Sequence, residues 1–242
     1  MSLTPSGHLL ATGHPEGGFF VFDVSARTAP QPIRTMKGHL LDVHTVQFFP
    51  SGTVLLSGGT DLTLKIWTIL QDGQCVAELK GHKRGILSTD MVERGRNVVS
   101  SSFDGTAKLW DVPSQAPLHS WTLPESPQAG GPSPINQVKI FPHPTPSGPS
   151  PEGHLVILSG ENGVLQVCDV RERKSVFSCV GPSPINSAVG LPSTDLVVAG
   201  RSDGRVCCWD LRKGDQVVGE YLFPYTSVSK IVGGGEKKCW IG

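Results

Sequence analysis

The chain has 242 residues with 21 basic and 21 acidic side chains, so nothing draws it electrostatically toward nucleic acid or an anionic membrane. Charged residues are only 17%, while 29 Gly and 20 Pro point to many short strands joined by tight turns. No apolar run approaches the ~20 residues of a membrane-spanning helix, no segment reads as a secretory signal and no N-x-S/T glycan acceptor occurs.

In chain order the same eight-residue frame appears five times. The β-rich run Leu9-Leu10-Ala11 leads into EGGFFVFD, Glu16 to Asp23, the weakest copy. Val54-Leu55-Leu56 leads into DLTLKIWT, Asp61 to Thr68, which keeps the Trp but lacks the Gly and the closing Asp. Asn97-Val98-Val99 leads into DGTAKLWD, Asp104 to Asp111. Leu155-Val156-Ile157-Leu158 leads into NGVLQVCD, Asn162 to Asp169, with Cys168 in the Trp position. Leu196-Val197-Val198 leads into DGRVCCWD, Asp203 to Asp210. The frames end at 23, 68, 111, 169 and 210, steps of 45, 43, 58 and 41.

Each frame opens on a turn pair, read as a type I′ hairpin turn, and continues as an alternating strand. In the second, Leu64 and Ile66 face one way and Trp67 the other. Another β-rich run follows, for example Cys75 to Leu79 and Val176 to Cys179. This grammar, at a period of 40–45 residues with no amphipathic helix between copies, predicts an all-β fold: a β-propeller of four-stranded blades. The blades are expected at 1–36, 37–79, 80–123, 131–180, 181–222 and, in part, 226–242, within one domain. The long fourth step is assigned to two Pro-rich loops, 124–134 and 142–153, flanking a strand from Ile135 to Phe141; residues 124–151 hold nine of the 20 Pro. These read as extended loops or as a proline-rich partner motif.

Two blades carry a second marker, Gly38-His39 and Gly81-His82, each 22 residues from its His to the turn Asp. The next two blades read GPSPIN instead, at 131–136 and 181–186, one loop solution used twice.

This spacing resembles the WD-repeat family over the whole chain. The resemblance implies a hydrogen-bonded set of loop His, second-strand Ser or Thr, turn Asp and third-strand Trp. Matched by position, one set is His39, Ser57, Asp61 and Trp67, and the next is His82, Ser100, Asp104 and Trp110. The fifth blade keeps Asp203 and Trp209, with Ala199 in the Ser position; the fourth has Ser159 and Asn162 with Cys168; the first retains Thr12. These sets are structural: a closed chain of buried donors and acceptors holds one loop arrangement.

A narrower resemblance covers Lys37 to Val112. The segments FFPSG, LSGG, GHKRGIL and RGRNVVS occur there in the order found in the proteasomal ATPase-associated factors, WD-repeat assembly chaperones of the proteasome regulatory particle. That resemblance implies a non-enzymatic scaffold that binds regulatory-particle ATPase subunits and modulates proteasome assembly. The alternative is a generic WD-repeat adaptor, such as a ubiquitin-ligase substrate receptor. On the family pattern the loops before the first strands and between second and third strands share one face. Leu40, Leu41, Thr60, Lys83, Arg84, Phe103 and Arg201 fall on those loops, and Leu41, Lys83, Arg84, Phe103 and Arg201 are the candidate partner-binding residues.

Other chemistry is not encoded. There is no GxxxxGK[ST] phosphate loop and no GxSxG elbow, and the eight His form no HxxxH or HExxH pair. No cofactor, metal, small-molecule substrate, nucleic acid or membrane partner is expected. The six Cys lack CxxC spacing and read as reduced thiols of a cytoplasmic or nuclear protein. LTPSG (3–7) aligns with FFPSG (48–52), so Met1 falls at the end of a first strand, while Val228 to Val232 and Lys238 to Ile241 read as the first two strands of a sixth blade. About five and a half blades are expected, an incomplete seven-bladed ring. A five-bladed ring, with the strand near Val228 completing the blade begun at Leu9, is the alternative.

Overall fold

A computed structural model describes residues 1–25, 31–69, 73–92, 94–124, 132–143, 153–191, 194–223, 226–234 and 238–242. Among them there is no helix. The first sheet holds β1 (Ser2–Leu3), β2 (Leu9–Gly13), β3 (Gly18–Asp23) and β4 (Pro32–Lys37). The second holds β5 (Val43–Phe48), β6 (Val54–Gly59), β7 (Thr63–Thr68) and β8 (Cys75–Lys80). The third holds β9 (Ile86–Val92), β10 (Asn97–Ser102), β11 (Thr106–Asp111) and β12 (Ala116–Thr122). The fourth holds β13 (Ile135–His143), β14 (Gly153–Gly160), β15 (Val164–Asp169) and β16 (Ser175–Val180). The fifth holds β17 (Ile185–Gly190), β18 (Leu196–Arg201), β19 (Arg205–Asp210) and β20 (Val217–Leu222), and β21 (Ile231–Gly234) pairs with β22 (Lys238–Ile241). Every sheet runs in sequence order, the antiparallel meander of a propeller blade.

The chain divides into two compact units, Met1–Ser120 and Trp121–Gly242, the boundary falling within β12. Much of the Pro-rich segments assigned to 124–134 and 142–153 lies outside the described residues, as 125–131 and 144–152. The strand between them runs two residues further than expected, to His143.

Both faces of a middle strand are buried, which is why an aromatic can stand opposite aliphatics. In β7, Leu64 and Ile66 pack in one cluster with Leu79, Ile86 and Trp110, while Trp67 packs in another with Phe19, Met36 and Val43. Each Trp thus turns toward the preceding sheet. Trp67 meets Phe19 edge-on at 5.3 Å, and Trp209 meets Phe177 at 6.5 Å. The core of each unit lies between consecutive sheets.

Inner strands are joined by side-chain hydrogen bonds as well. The Thr45 and Thr89 hydroxyls lie 2.8 Å apart, and Gln47 Nε2 donates to Asp90 at 2.9 Å. In the second unit the Ala188 N–H donates to Gln137 Oε1 and the Ile231 N–H to Ser187 Oγ at 3.0 Å. The LTPSG and FFPSG segments make the same turn, Gly7 N–H to Thr4 O and Gly52 N–H to Phe49 O, both 2.9 Å. β21 pairs with β22 in the second unit, and in the first unit β1 pairs with β2.

The frame turns differ from the type I′ expectation. In the third sheet the turn closes from Gly105 N–H to Ser102 O at 3.3 Å, and only Gly105 has a positive φ, 79°. A type I′ turn needs positive φ at both central residues, here Phe103 and Asp104. Keeping Asp104 at negative φ lets its carboxylate turn back to accept from Thr106 N–H at 2.9 Å, the bond that fixes the turn. Gly163 and Gly204 take the same left-handed position with φ of 77° and 85°, while in the first sheet both Glu16, at 75°, and Gly17, at 79°, are left-handed.

In the second sheet that position is Leu62, at φ 68° and 39% exposed. A branched side chain in left-handed backbone costs about 1–2 kcal/mol, and little burial offsets it here. Leu62→Gly is therefore expected to stabilise the protein by about 1 kcal/mol, less the extra unfolded-state entropy of glycine. Thermal unfolding checks this: the midpoint rises, and a fall would show that Leu62 makes a contact worth more than its strain.

Candidate protein-binding face

The clamps come first, because they set the loops. In the second sheet Trp67 Nε1–H donates to Ser57 Oγ at 2.7 Å, and Ser57 Oγ lies 2.6 Å from His39 Nε2. His39 Nδ1 is 2.9 Å from both carboxylate oxygens of Asp61. With Asp61 accepting from Nδ1–H, Nε2 is the acceptor and Ser57 its donor. Asp61 also accepts from the Leu40 N–H at 3.0 Å. The third sheet repeats this: Trp110 Nε1–H to Ser100 Oγ at 2.8 Å, Ser100 Oγ to His82 Nε2 at 2.8 Å, His82 Nδ1 to Asp104 at 2.9 Å and Lys83 N–H to Asp104 at 2.8 Å. The glycine before each His is required, since a Cβ at Gly38 would stand 2.7 Å from the Trp67 ring and one at Gly81 3.2 Å from Trp110.

Ser, His and Asp stand in the spatial order of a hydrolase triad, but the chemistry differs. Ser57 and Ser100 are 0% exposed, and each hydroxyl oxygen already accepts from an indole, so no substrate atom can reach it. Burial pushes His39 below its ordinary pKa, outweighing the pull of Asp61, so the ring is held neutral. Burial alone would raise the carboxyls of Asp61 and Asp104. Hydrogen bonds from the two His rings, the Leu40 and Lys83 N–H groups and neighbouring Thr donors outweigh it and hold both well below the usual carboxylate range.

The other sheets solve the same problem differently. In the fourth, Ser159 stands in the Ser position but Cys168 replaces the indole and GPSPIN brings no imidazole, so the buried Ser159 Oγ has no hydrogen-bond partner among the described residues. Burial pushes the Cys168 thiol up to about 12 and Cys179 up to about 11, so both stay neutral and poorly nucleophilic. In the fifth, Ala199 supplies no hydroxyl, and among the described residues Asp203 and Trp209 join no common hydrogen-bonded set; Asp203 is exposed and caps the Arg205 N–H at 3.0 Å.

Arg201, expected on the exposed face, is 3% exposed and does not belong to it. Its guanidinium carbon lies 6.0 Å from the Trp209 ring centroid, and Nη1 donates to Ser183 O at 3.1 Å. It thereby ties the GPSPIN loop to the blade where a His would otherwise do so. The signal for this was Ala199 in the Ser position, with a long donor two residues on.

Sequence reasoning also missed the role of the last residue of GPSPIN. Asn136 Nδ2 donates to Glu161 at 2.7 Å and to Ile185 O at 3.1 Å, the start of the next inner strand. Asn186 Nδ2 donates to Val228 O at 2.8 Å, the equivalent place one sheet later. The identical hexapeptide marks a clasp that joins consecutive sheets through an amide.

The remaining candidates come together on one edge of the first unit. Leu40 is 86% exposed and Leu41 51%, on the loop between β4 and β5. Lys83 and Arg84 are exposed on the equivalent loop between β8 and β9. Phe103, in the turn between β10 and β11, is 40% exposed; its N–H donates to Gly85 O at 2.9 Å, and its ring lies over Gly85. Thr60, in the turn between β6 and β7, is bound through Oγ1 to His44 Nε2 at 2.9 Å. Among the described residues no group of three or more His, Cys, Asp or Glu is placed to hold a metal, and no helix is long and apolar enough to cross a membrane.

Comparison with known proteins agrees with this geometry. Residues 30–68, 73–111 and 173–210 match the WD40 family, described as WD domain, G-beta repeat. Sheets and matched segments together define a WD-repeat protein of β-propeller blades. The chain is 29% identical over 204 residues to the 26S proteasome regulatory subunit RPN14 of Saccharomyces cerevisiae, covering 77% of this chain and 47% of that protein. It is 33% identical over 181 residues to transducin beta-like protein 3 of Mus musculus, covering 74% and 21% respectively. It is 24% identical over 222 residues to the COMPASS component SWD3 of Saccharomyces cerevisiae, covering 86% and 65%. The chain spans about half the length of the yeast proteasomal relative and a fifth of the mouse one.

Substitutions at equivalent serines should have opposite effects. Ser100→Ala strands the Trp110 N–H and His82 Nε2 and is expected to destabilise by about 2 kcal/mol, with Asp104→Ala costing at least as much. Ser159→Ala removes an unsatisfied hydroxyl and is expected to be neutral or to stabilise by about 1 kcal/mol. Chemical denaturation of the three variants checks the contrast.

The clamps also set an acid response. His39 titrates lower in the fold than in the unfolded chain, so its contribution is complete above about pH 6.5 and is lost as pH falls below that value. Asp61 and Asp104 are depressed, so their contribution holds above about pH 4 and is lost as pH falls further. A pH series of thermal midpoints should decline in two stages. His39→Gln, lower at every pH, should flatten the first.

Proposed function

We propose that this chain is a non-enzymatic protein-binding scaffold that holds an ATPase subunit of the proteasome regulatory particle and thereby modulates proteasome assembly. The observation that carries the scaffold reading is the edge of the first unit, where exposed Leu41, Lys83, Arg84 and Phe103 sit on loops fixed by buried hydrogen bonds. Support for the proteasomal partner comes from the FFPSG, LSGG, GHKRGIL and RGRNVVS segments, of which GHKRGIL carries Lys83 and Arg84, and from similarity to a protein named a 26S proteasome regulatory subunit. A general adaptor role is the second reading. Similarity to a COMPASS component and to a yeast pre-mRNA-processing factor, 37% identical over 81 residues, favours it.

The experiment is direct binding of the purified 242-residue chain to individually purified regulatory-particle ATPase subunits, with co-purification from a eukaryotic lysate beside it. Micromolar or tighter binding to one ATPase, and its enrichment from lysate, is the expected outcome. No binding to any ATPase, with recovery of cullin adaptors instead, would establish the second reading.

A further inference from the structure

We infer that the edge formed by Leu40, Leu41, Lys83, Arg84 and Phe103 is a docking site for an acidic peptide segment that carries large apolar side chains. The inference rests on the scaffold reading above and adds the chemistry of what is bound.

Three observations lead to it. The apolar groups are held out rather than left loose. Leu40 is 86% exposed, yet its N–H is fixed to Asp61, which is itself fixed to His39. Phe103 is anchored by its N–H to Gly85 O, with its ring lying over Gly85, which leaves the remainder of the ring in water. Exposed apolar side chains on rigid loops of one edge are ready to lose water against a partner without an ordering cost.

The cations beside them are also uncommitted. In this unit Lys65 and Lys80 pair with Glu78, and Arg96 pairs with Asp111. Lys83 and Arg84 meet no carboxylate among the described residues. The acid beside them, Asp104, already accepts from His82, from the Lys83 and Thr106 N–H groups and from Thr106 Oγ1. Two free cations next to leucines and a phenylalanine match a segment in which Asp or Glu alternates with Leu or Phe.

The rest of the edge argues against a continuous polyphosphate. Glu16 and Asp42 are exposed on the neighbouring loops, the Glu16 N–H lying 3.3 Å from Asp42 Oδ1. They would repel an evenly charged strand of nucleic acid, whereas a peptide can place its acids over Lys83 and Arg84 alone.

The test is fluorescence anisotropy with the 242-residue chain and three labelled probes. The first is a peptide of about twelve residues with Leu and Phe throughout and Glu between them in one half only, the second is the same peptide with Lys for every Glu, and the third is a short oligothymidylate. The acidic peptide is expected to bind, more weakly as salt rises. Phe103→Ala and Leu40→Asp should each weaken it by about tenfold. Lys83→Glu with Arg84→Glu should abolish it and create binding of the Lys peptide. These are surface changes, so unchanged thermal midpoints certify the fold, and Leu40→Asp serves if Phe103→Ala melts early. Equal binding of acidic and basic peptides, indifference to the charge reversal, or tighter binding of oligothymidylate would each overturn the inference. Loss of ATPase binding with the peptide preference intact would instead overturn only the proteasomal reading.

Discussion

One hydroxyl does two jobs at the centre of each complete blade. Ser57 Oγ accepts from an indole and donates to an imidazole, and Ser100 Oγ does the same. An apolar residue there would leave two buried polar atoms unpaired. Because the His lies on the loop entering the blade and the Trp packs on the preceding sheet, this hydroxyl couples loop position to the stacking of consecutive sheets. Such a closed chain is strong only when complete, since each missing member exposes the desolvation cost of its neighbours. Ser159 shows the incomplete case.

The second unit reaches the same end by other means. GPSPIN carries no His, so no imidazole reaches the Ser position. The loop is instead held by amides and a guanidinium: Asn136 and Asn186 bond to the start of the next inner strand, and Arg201 bridges the Ser183 carbonyl and the Trp209 ring. In the first unit the corresponding loop is held by His39, which burial keeps neutral.

The architecture was legible because the frame encodes it twice, once as turn chemistry and once as alternation on a strand buried from both sides. The last six residues of each frame form the third strand of its sheet, from Gly18–Asp23 to Arg205–Asp210. The turn class was misjudged because Asp-Gly admits two geometries. The choice between them is made by the carboxylate, which must fold back on the Thr106 N–H and reach His82. Arg201 was misplaced because its charge suggested exposure, whereas its place in the strand is interior in the second and third sheets as well, where Gly59 and Ser102 are buried. The Asn clasps join residues about fifty apart in different sheets, and no local periodicity carries that information.

The clamps explain how a net-neutral chain can present a specific surface. Folding free energy spent on His39, Asp61, His82 and Asp104 fixes the backbone of Leu40 and Lys83 before any partner arrives, since both N–H groups are bound by those carboxylates. A partner then gains the desolvation of Leu40, Leu41 and Phe103 without ordering the loops that carry them. The same arrangement sets selectivity. Asp61 and Asp104 are saturated by internal donors, so the charge left facing solvent beside Phe103 is that of Lys83 and Arg84, while Glu16 and Asp42 mark the opposite flank. Affinity on such an edge comes from a few apolar anchors and orientation from the asymmetry of charge, so a partner must match both at once.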